Sequence, residues 1–125
     1  MKVNLLFIPS LLYVYSSISK LTKNVDKRYN YKYSGTSSGV TLFMENGGEH
    51  DVNIGIDVKG LVKKGVGYKR IKALLVHELS HAVTDIMRFH GFDCDEFRSY
   101  LLGYIYEQSV GLIDDELYRC IKKHK

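Results

Sequence analysis

The sequence predicts an α+β fold, in which a small sheet with a hairpin packs against helices. Residues 40–44 and 52–58 are apolar and rich in β-branched side chains, and the run Asn-Gly-Gly at residues 46–48 between them favours a turn, so together they predict a β-hairpin. Residues 68–89 contain neither Gly nor Pro and keep a helical period, with Gly91 placed to cap the helix. The 125 residues, 45% of them hydrophobic, fit a single domain over residues 1–125.

The remaining elements follow from hydrophobic period and capping residues. Residues 1–8 are apolar and β-branched, which predicts a buried strand ending before Pro9. Residues 10–25 carry apolar side chains at helical spacing and predict a helix. A further helix is expected from Asp93 or Asp95 to about residue 108, and a short final helix over residues 114–122. The predicted order is strand, helix, hairpin, long helix, helix, helix.

Cysteine usage and the N-terminal segment bear on the compartment. Cys94 and Cys120 are too few for a disulfide framework, so two reduced thiols are expected, with a single bridge as the alternative. The apolar run at residues 3–15 is interrupted by Asn4 and Pro9 and is followed by no small-residue cleavage site. We therefore expect a soluble, cytoplasmic protein that does not enter a membrane, with association with a virion as the alternative.

The charge pattern argues against a nucleic-acid partner. The formal net charge is +4, and the basic side chains cluster between Lys59 and Lys72, with a second group at the C-terminus. A basic patch can contact phosphates, but this one lacks interleaved aromatic residues and any recognised nucleic-acid motif. A solvated basic face is the expectation.

The chemistry of the chain centres on the motif His77-Glu78-Leu79-Ser80-His81 within the long predicted helix. His81 falls about 40° from His77 on a helical wheel, and the apolar residues of the helix occupy a separate arc. Two imidazoles one turn apart can each place a nitrogen about 2.0–2.1 Å from one zinc ion. Glu78 stands beside them, where it can act as general base on water at the metal. The alternative is a surface helix with two solvated histidines.

A hydrolytic zinc site needs a third protein ligand and an open position, and four downstream residues are candidates. His90 lies on the far side of the helix from His77, and Asp85 is better placed to orient a ligand than to be one. Cys94 would be an unusual partner for two histidines. Glu96 is favoured because it opens the next helix and can fold back, although a first-turn carboxylate also stabilises the helix dipole.

Two local runs resemble a known family. Residues 77–85, HELSHAVTD, resemble the active-site helix of thermolysin-like peptidases, and residues 95–99, DEFRS, with Gly103 are similar to the helix that carries their glutamate ligand. The resemblance implies a gluzincin-type metallopeptidase with a minimal zincin-like fold and a Zn²⁺ cofactor. Its ligands would be His77, His81 and Glu96, with Glu78 as general base. The chain's size and the spacing around the glutamate also resemble small metallopeptidase-like proteins encoded by bacteriophages.

The chain departs from the thermolysin-like pattern at one supporting position. Tyr100 stands where that family has an aspartate that orients a zinc histidine. The histidine would then be oriented by Asp85, by Glu107, by a backbone carbonyl or by no group. Tyr100 is also a candidate donor to the oxyanion of a peptide substrate, as is Tyr104. The alternative is that both tyrosines only pack and hydrogen-bond nearby.

The resulting hypothesis is a zinc-dependent metallopeptidase, of the endopeptidase class, acting on a peptide or protein substrate. In the zincin arrangement an extended substrate pairs with an exposed strand edge, and residues 52–58 are expected to supply it. The alternative is a zinc-binding structural or interaction module without proteolytic activity. His50 and His124 have no partner pattern and are expected to be exposed to solvent.

Overall fold

The described part of the chain, residues 1–6 and 8–123 of a computed structural model, contains four strands and four helices. In chain order they are β1 (Lys2–Val3), β2 (Ser10–Tyr15), α1 (Ile18–Tyr29), β3 (Gly39–Asn46), β4 (Glu49–Ile56), α2 (Val58–Lys63), α3 (Tyr68–His90) and α4 (Asp95–Lys123). The predicted α+β class is confirmed. None of these helices has the length and hydropathy that a membrane span needs.

The strands form one mixed sheet in the order β1-β2-β4-β3. β2 and β4 are parallel, whereas the pairs β1·β2 and β3·β4 are antiparallel. β4 therefore hydrogen-bonds on both sides and cannot offer a free edge. The prediction that residues 52–58 supply an exposed edge is wrong, because that segment lies inside the sheet and Val58 already begins α2. Among the described residues, β3 pairs only with β4 and β1 only with β2, so these are the two edge strands, and β3 is the longer.

The two elements with the strongest local signals are confirmed. β3 and β4 form the predicted hairpin, and Gly47 and Gly48 at its turn have φ of +62° and +88°, a region that residues with a side chain rarely adopt. α3 spans the predicted long helix and ends at Gly91, whose left-handed conformation lets its backbone N–H and that of Phe92 bond the last turn.

The N-terminal third differs from its prediction. Residues 10–15 form β2, and the helix begins only at Ile18, where the Ser17 hydroxyl caps it by accepting from the Lys20 backbone N–H. The run Ser-Leu-Leu-Tyr-Val-Tyr has buried residues on both faces, as a central strand requires, and such a continuous apolar run also matches a helical period. The strand expected over residues 1–8 is reduced to Lys2–Val3, with Phe7 outside the described residues.

The C-terminal helices also differ from their prediction. α4 is one continuous helix of 29 residues, so the expected break between residues 108 and 114 is absent. Gly111 lies within this helix and does not end it, because residues on either side of it bury a common stripe in the core. That stripe consists of Leu101, Ile105, Ser109, Ile113, Leu117 and Cys120. Cys120 and the exposed Cys94 are separate thiols, as expected.

The core that positions α3 lies on one face of the sheet. Val52, Ile54 and Ile56 of β4 are fully buried against the apolar face of α3, and α4 covers the remainder of that cluster. α1 covers the opposite face of the sheet, where Leu21 and Val25 are fully buried. The rotation of α3 about its axis is therefore fixed by apolar contacts with β4 and α4.

A pair of neighbouring residues tests how strongly these contacts hold α3. Leu75 is fully buried and Val76 is 39% exposed. We expect Leu75→Ala to lower the free energy of unfolding by about 2–5 kcal/mol, since it removes buried methyl groups and leaves a cavity. Val76→Ala should cost less than about 1 kcal/mol. Urea titration followed by circular dichroism measures both, and equal losses would contradict the packing described for α3.

Candidate metal centre

His77 and His81 project together from the exposed side of α3. Their Nε2 atoms are 3.1 Å apart, and their rings meet at 90° with centroids separated by 4.6 Å. Both side chains are exposed because Leu75, Leu79 and the other apolar residues of the helix occupy the opposite arc. The predicted arrangement of two imidazoles one turn apart is therefore present.

The separation of the two nitrogens fits two ligands of one zinc ion. Two atoms that each lie about 2.0–2.1 Å from a tetrahedral ion are about 3.3 Å apart, close to the 3.1 Å between the Nε2 atoms of His77 and His81. The same separation fits a hydrogen bond between a protonated and an unprotonated ring nitrogen. The donor type and the spacing thus suit zinc.

Glu78 is buried between α3 and the edge strand β3. Its Oε1 accepts a hydrogen bond of 2.7 Å from the Thr41 hydroxyl, which also lies 3.2 Å from the Glu78 backbone carbonyl. A Cβ at Gly39 would lie 3.2 Å from Glu78 Oε2 and 3.1 Å from the Leu74 side chain, so glycine leaves room for the carboxylate. The side chain, 7% exposed, is anchored to the sheet edge beside the histidine pair.

α4 packs on a different flank of α3 from the histidines. Lys72 of α3 and Asp114 of α4 form an ion pair with 2.9 Å between Nζ and Oδ1. Lys72 lies about 140° around the helix from His77, so α4 does not face the side from which the histidine pair projects.

The same ion pair indicates how the antiparallel helices α3 and α4 are aligned. It therefore indicates the position of Glu96 along the axis of α3. Counting forward along α3 from Lys72 and back by the same number of residues along α4 from Asp114 puts Glu96 opposite His90, about 13 Å along the axis of α3 from His81. Glu96 is exposed and borders a shallow cleft with Ser99 and Tyr100. Within residues 1–6 and 8–123, no group of three His, Cys, Asp or Glu side chains is placed to hold a metal ion. The structure does not bring Glu96 to the pair.

The tyrosines named as oxyanion donors also lie apart from the pair. Tyr100 is 72% exposed on α4. The Tyr104 hydroxyl donates to the Asn4 backbone carbonyl at 2.8 Å, which ties α4 to the N-terminal segment. Glu107, one of the residues considered for orienting a histidine, is exposed on α4.

His50 contradicts the expectation that it is exposed. It is 4% exposed, and its ring stacks on Phe89 with centroids 4.3 Å apart. His50 Nε2 pairs with Asp85 Oδ2, and its Nδ1 lies 3.0 Å from Ser10 Oγ. Asp85 is thus engaged by His50 of β4, and no bond from it orients His77 or His81. The other histidine expected to be exposed, His124, lies outside the described residues.

Ser10 extends this chain of polar groups to the end of α3. Its Oγ is also 2.7 Å from His90 Nε2. Hydrogen bonds therefore join Asp85 to His50, His50 to Ser10, and Ser10 to His90. Burial lowers the pKa of His90, and the nearby His50 lowers it further. Ser10 and His50 are direct partners in the parallel register of β2 and β4. Knowledge of this strand pairing would have indicated that their side chains meet.

Comparisons of the chain with protein-family models, with curated proteins and with solved structures found no match. The function is therefore argued from the side chains at the site.

The anchoring of Glu78 can be tested by removing its partner. Thr41→Val leaves the buried Oε1 of Glu78 without its donor, and we expect the free energy of unfolding to fall by about 1–3 kcal/mol. Thr41→Ser keeps the hydroxyl and should recover most of the loss. Urea titration measures both variants, and equal stability of the valine and serine variants would show that the hydrogen bond contributes nothing.

The lowered pKa of His90 predicts a pH dependence. The folded protein binds a proton at His90 less readily than the unfolded chain, whose histidines titrate near 6.5. The contribution of His90 to stability is therefore complete above pH 6.5 and is lost as the pH falls below it. NMR titration of the histidine Cε1–H signals should show one that moves below pH 6.5 and is missing in His90→Gln. A His90 signal at or above 6.5 would contradict its partly buried setting.

Proposed function

We propose that the protein is a zinc-dependent peptidase in which His77 and His81 hold the ion and Glu78 handles the proton of the attacking water. One observation carries the proposal. The two Nε2 atoms stand 3.1 Å apart on an exposed helix face, and the anchored carboxylate of Glu78 comes from the residue directly after His77. When bound, zinc acts as a Lewis acid that makes water nucleophilic near neutral pH.

The two oxygens of Glu78 have different surroundings, which suggests their roles. Oε1 is engaged by the Thr41 hydroxyl, which holds the carboxylate in one orientation. We assign the proton to Oε2, the oxygen nearest to Gly39 of the edge strand. Glu78 then takes a proton from water as the new C–O bond forms, and returns it to the amine nitrogen as the peptide C–N bond breaks.

The edge strand β3 is the proposed docking site for an extended substrate. Its outer edge is unpaired among the described residues, and Thr41 ties it directly to Glu78. A peptide added along β3 would satisfy these backbone groups and pass beside the histidine pair. Further along α3, a cleft of about 330 Å³ would receive a side chain of the substrate. Its lining is mixed, with apolar and charged side chains beside the ring of His50; the others are Phe43, Met44, Glu45, Asp85, Arg88 and Phe89.

The proposed site takes its third zinc ligand from α4. Glu96 is proposed on the resemblance to thermolysin-like peptidases, and its position near His90 requires the connection at residues 91–94 to rearrange when zinc binds. A third donor beside the pair is lacking within the described residues, so the second candidate function takes its remaining zinc ligands from a partner molecule. In that case the pair binds zinc in a structural or interaction module that cleaves nothing.

Zinc content and cleavage, measured on the same variants, test the proposal. Wild-type protein should bind one zinc ion, and His77→Ala or His81→Ala should lose it because each removes a ligand. Glu78→Gln should keep stoichiometric zinc, while its rate of casein cleavage falls by about 100-fold or more, the usual contribution of a general base. Glu96→Gln should lose zinc, with Asp115→Asn, an exposed carboxylate of α4 to which no role is assigned, as the control.

Each alternative outcome has a distinct meaning. Zinc-loaded wild-type protein that cleaves neither casein nor a peptide library would favour the interaction module. Full zinc content in Glu96→Gln would remove Glu96 from the ligand set. Absence of zinc from the wild type after incubation with the metal would contradict both candidate functions.

A further inference from the structure

The Ser10 hydroxyl lies between two imidazole rings. Its Oγ is 3.0 Å from His50 Nδ1 and 2.7 Å from His90 Nε2, and His50 Nε2 pairs with Asp85 on the opposite side of the ring. The residues come from β2, β4 and α3, so a serine, a histidine and an aspartate meet through the fold and not through a local motif. The zinc ligands and Glu78 take no part in this group, whereas His50 and Asp85 also line the cleft proposed above for a substrate side chain.

The pairing with Asp85 restricts where the protons lie. A carboxylate only accepts hydrogen bonds, so His50 Nε2 carries a proton. If His50 is neutral, its Nδ1 is unprotonated and accepts the Ser10 proton, while His90 Nε2–H donates to Ser10 Oγ. If His50 is charged, its Nδ1 donates to Ser10, and the Ser10 proton points to His90 Nε2. In either arrangement the hydroxyl of Ser10 donates to an imidazole nitrogen.

A cavity gives small molecules access to this hydroxyl. Ser10 is only 5% exposed, but it and His90 line a cavity of about 830 Å³ whose remaining walls are mainly apolar. The apolar lining includes Leu5, Ile8, Pro9, Leu11 and Phe89. Such a lining suits an apolar acyl group, and the hydroxyl with its imidazole partners stands at the polar part of the wall.

We propose that Ser10 is the nucleophile of a second, metal-independent hydrolytic site, which takes carboxylic esters with an apolar acyl group. Ser10 Oγ attacks the ester carbonyl and passes its proton to His50 Nδ1, and the carboxylate of Asp85 stabilises the imidazolium. The C–O bond to the alcohol then breaks, and the alcohol leaves with that proton. Water attacks the acyl-serine with His50 again taking the proton, and the acid and free Ser10 are restored.

His90 supplies the neighbouring hydrogen-bond donor. In the arrangement with neutral His50, His90 Nε2–H points at Ser10 Oγ from 2.7 Å. It therefore serves as the donor to the carbonyl oxygen of the bound ester, which lies beside Oγ and gains charge during the attack. A neutral imidazole can serve in this way because it keeps one N–H.

The experiment uses an alkyl fluorophosphonate, which is attacked by an activated serine and releases fluoride. We expect labelling of Ser10 in the folded full-length chain, located by mass spectrometry of the peptides. Ser10→Ala should abolish labelling, whereas Ser16→Ala, a serine of equal exposure just after β2, should leave it unchanged. His50→Gln should slow labelling by about 100-fold or more. Hydrolysis of p-nitrophenyl butyrate should follow the same order.

The outcome is separable from that of the zinc site. Labelling and ester hydrolysis should persist in Glu78→Gln and after metal chelation, whether or not the protein cleaves peptides. No adduct on Ser10 of wild-type protein whose circular dichroism shows it folded would overturn the proposal. Equal labelling rates for wild type and a folded His50→Gln variant would do the same, because the serine would then be reacting without its base.

Discussion

The burial of one face of α3 against β4 determines where each candidate side chain of the helix points. The fully buried Ile71 and Leu79 of α3 lie in the same core cluster as three residues of β4, Val52, Ile54 and Ile56. Each such side chain contributes roughly 1.5–3 kcal/mol when it is removed from water, more than an exposed polar contact does. The places of His77, Glu78 and His81 on the helix are consequently set by apolar packing on its opposite face.

A buried polar group secures the other end of the same helix. Asp85 and His90 of α3 are bonded through His50 of β4 and Ser10 of β2, so the C-terminal half of α3 is tied to two adjacent strands. Buried polar atoms are costly unless they are paired, and this chain of bonds is satisfied only when strand register and helix position are both correct. The group therefore restricts sliding of α3 along the sheet, which apolar contacts alone permit more readily.

The sequence predicts the parts of the site that depend on local periodicity. α3 and the β3–β4 hairpin carry their own period, cap and turn residues, and the relation of His77 to His81 follows from the helix alone. The strand at residues 10–15 is not predicted, because its apolar run fits a helix equally well until its pairing with β4, forty residues away, is known. That missed pairing also hides the burial of His50 and the central position of β4. The position of Glu96 along the axis of α3 depends on how α4 packs against α3. No local sequence pattern encodes that packing.

The free edge of β3 has a consequence for the behaviour of the protein in solution. Alternate residues of this strand point their backbone N–H and C=O groups outward, where none of the described strands pairs with them. The strand includes the half-exposed Phe43, with Glu45 as its one charged residue. Such an edge is a template for any extended strand, including the same strand of another copy. Self-association through β3 would cover Gly39 and Thr41 and compete with a peptide for the same hydrogen bonds. An edge that is left unpaired so that a peptide can bind is also free to pair with another copy of the protein. Binding a peptide and avoiding aggregation therefore place opposing demands on β3.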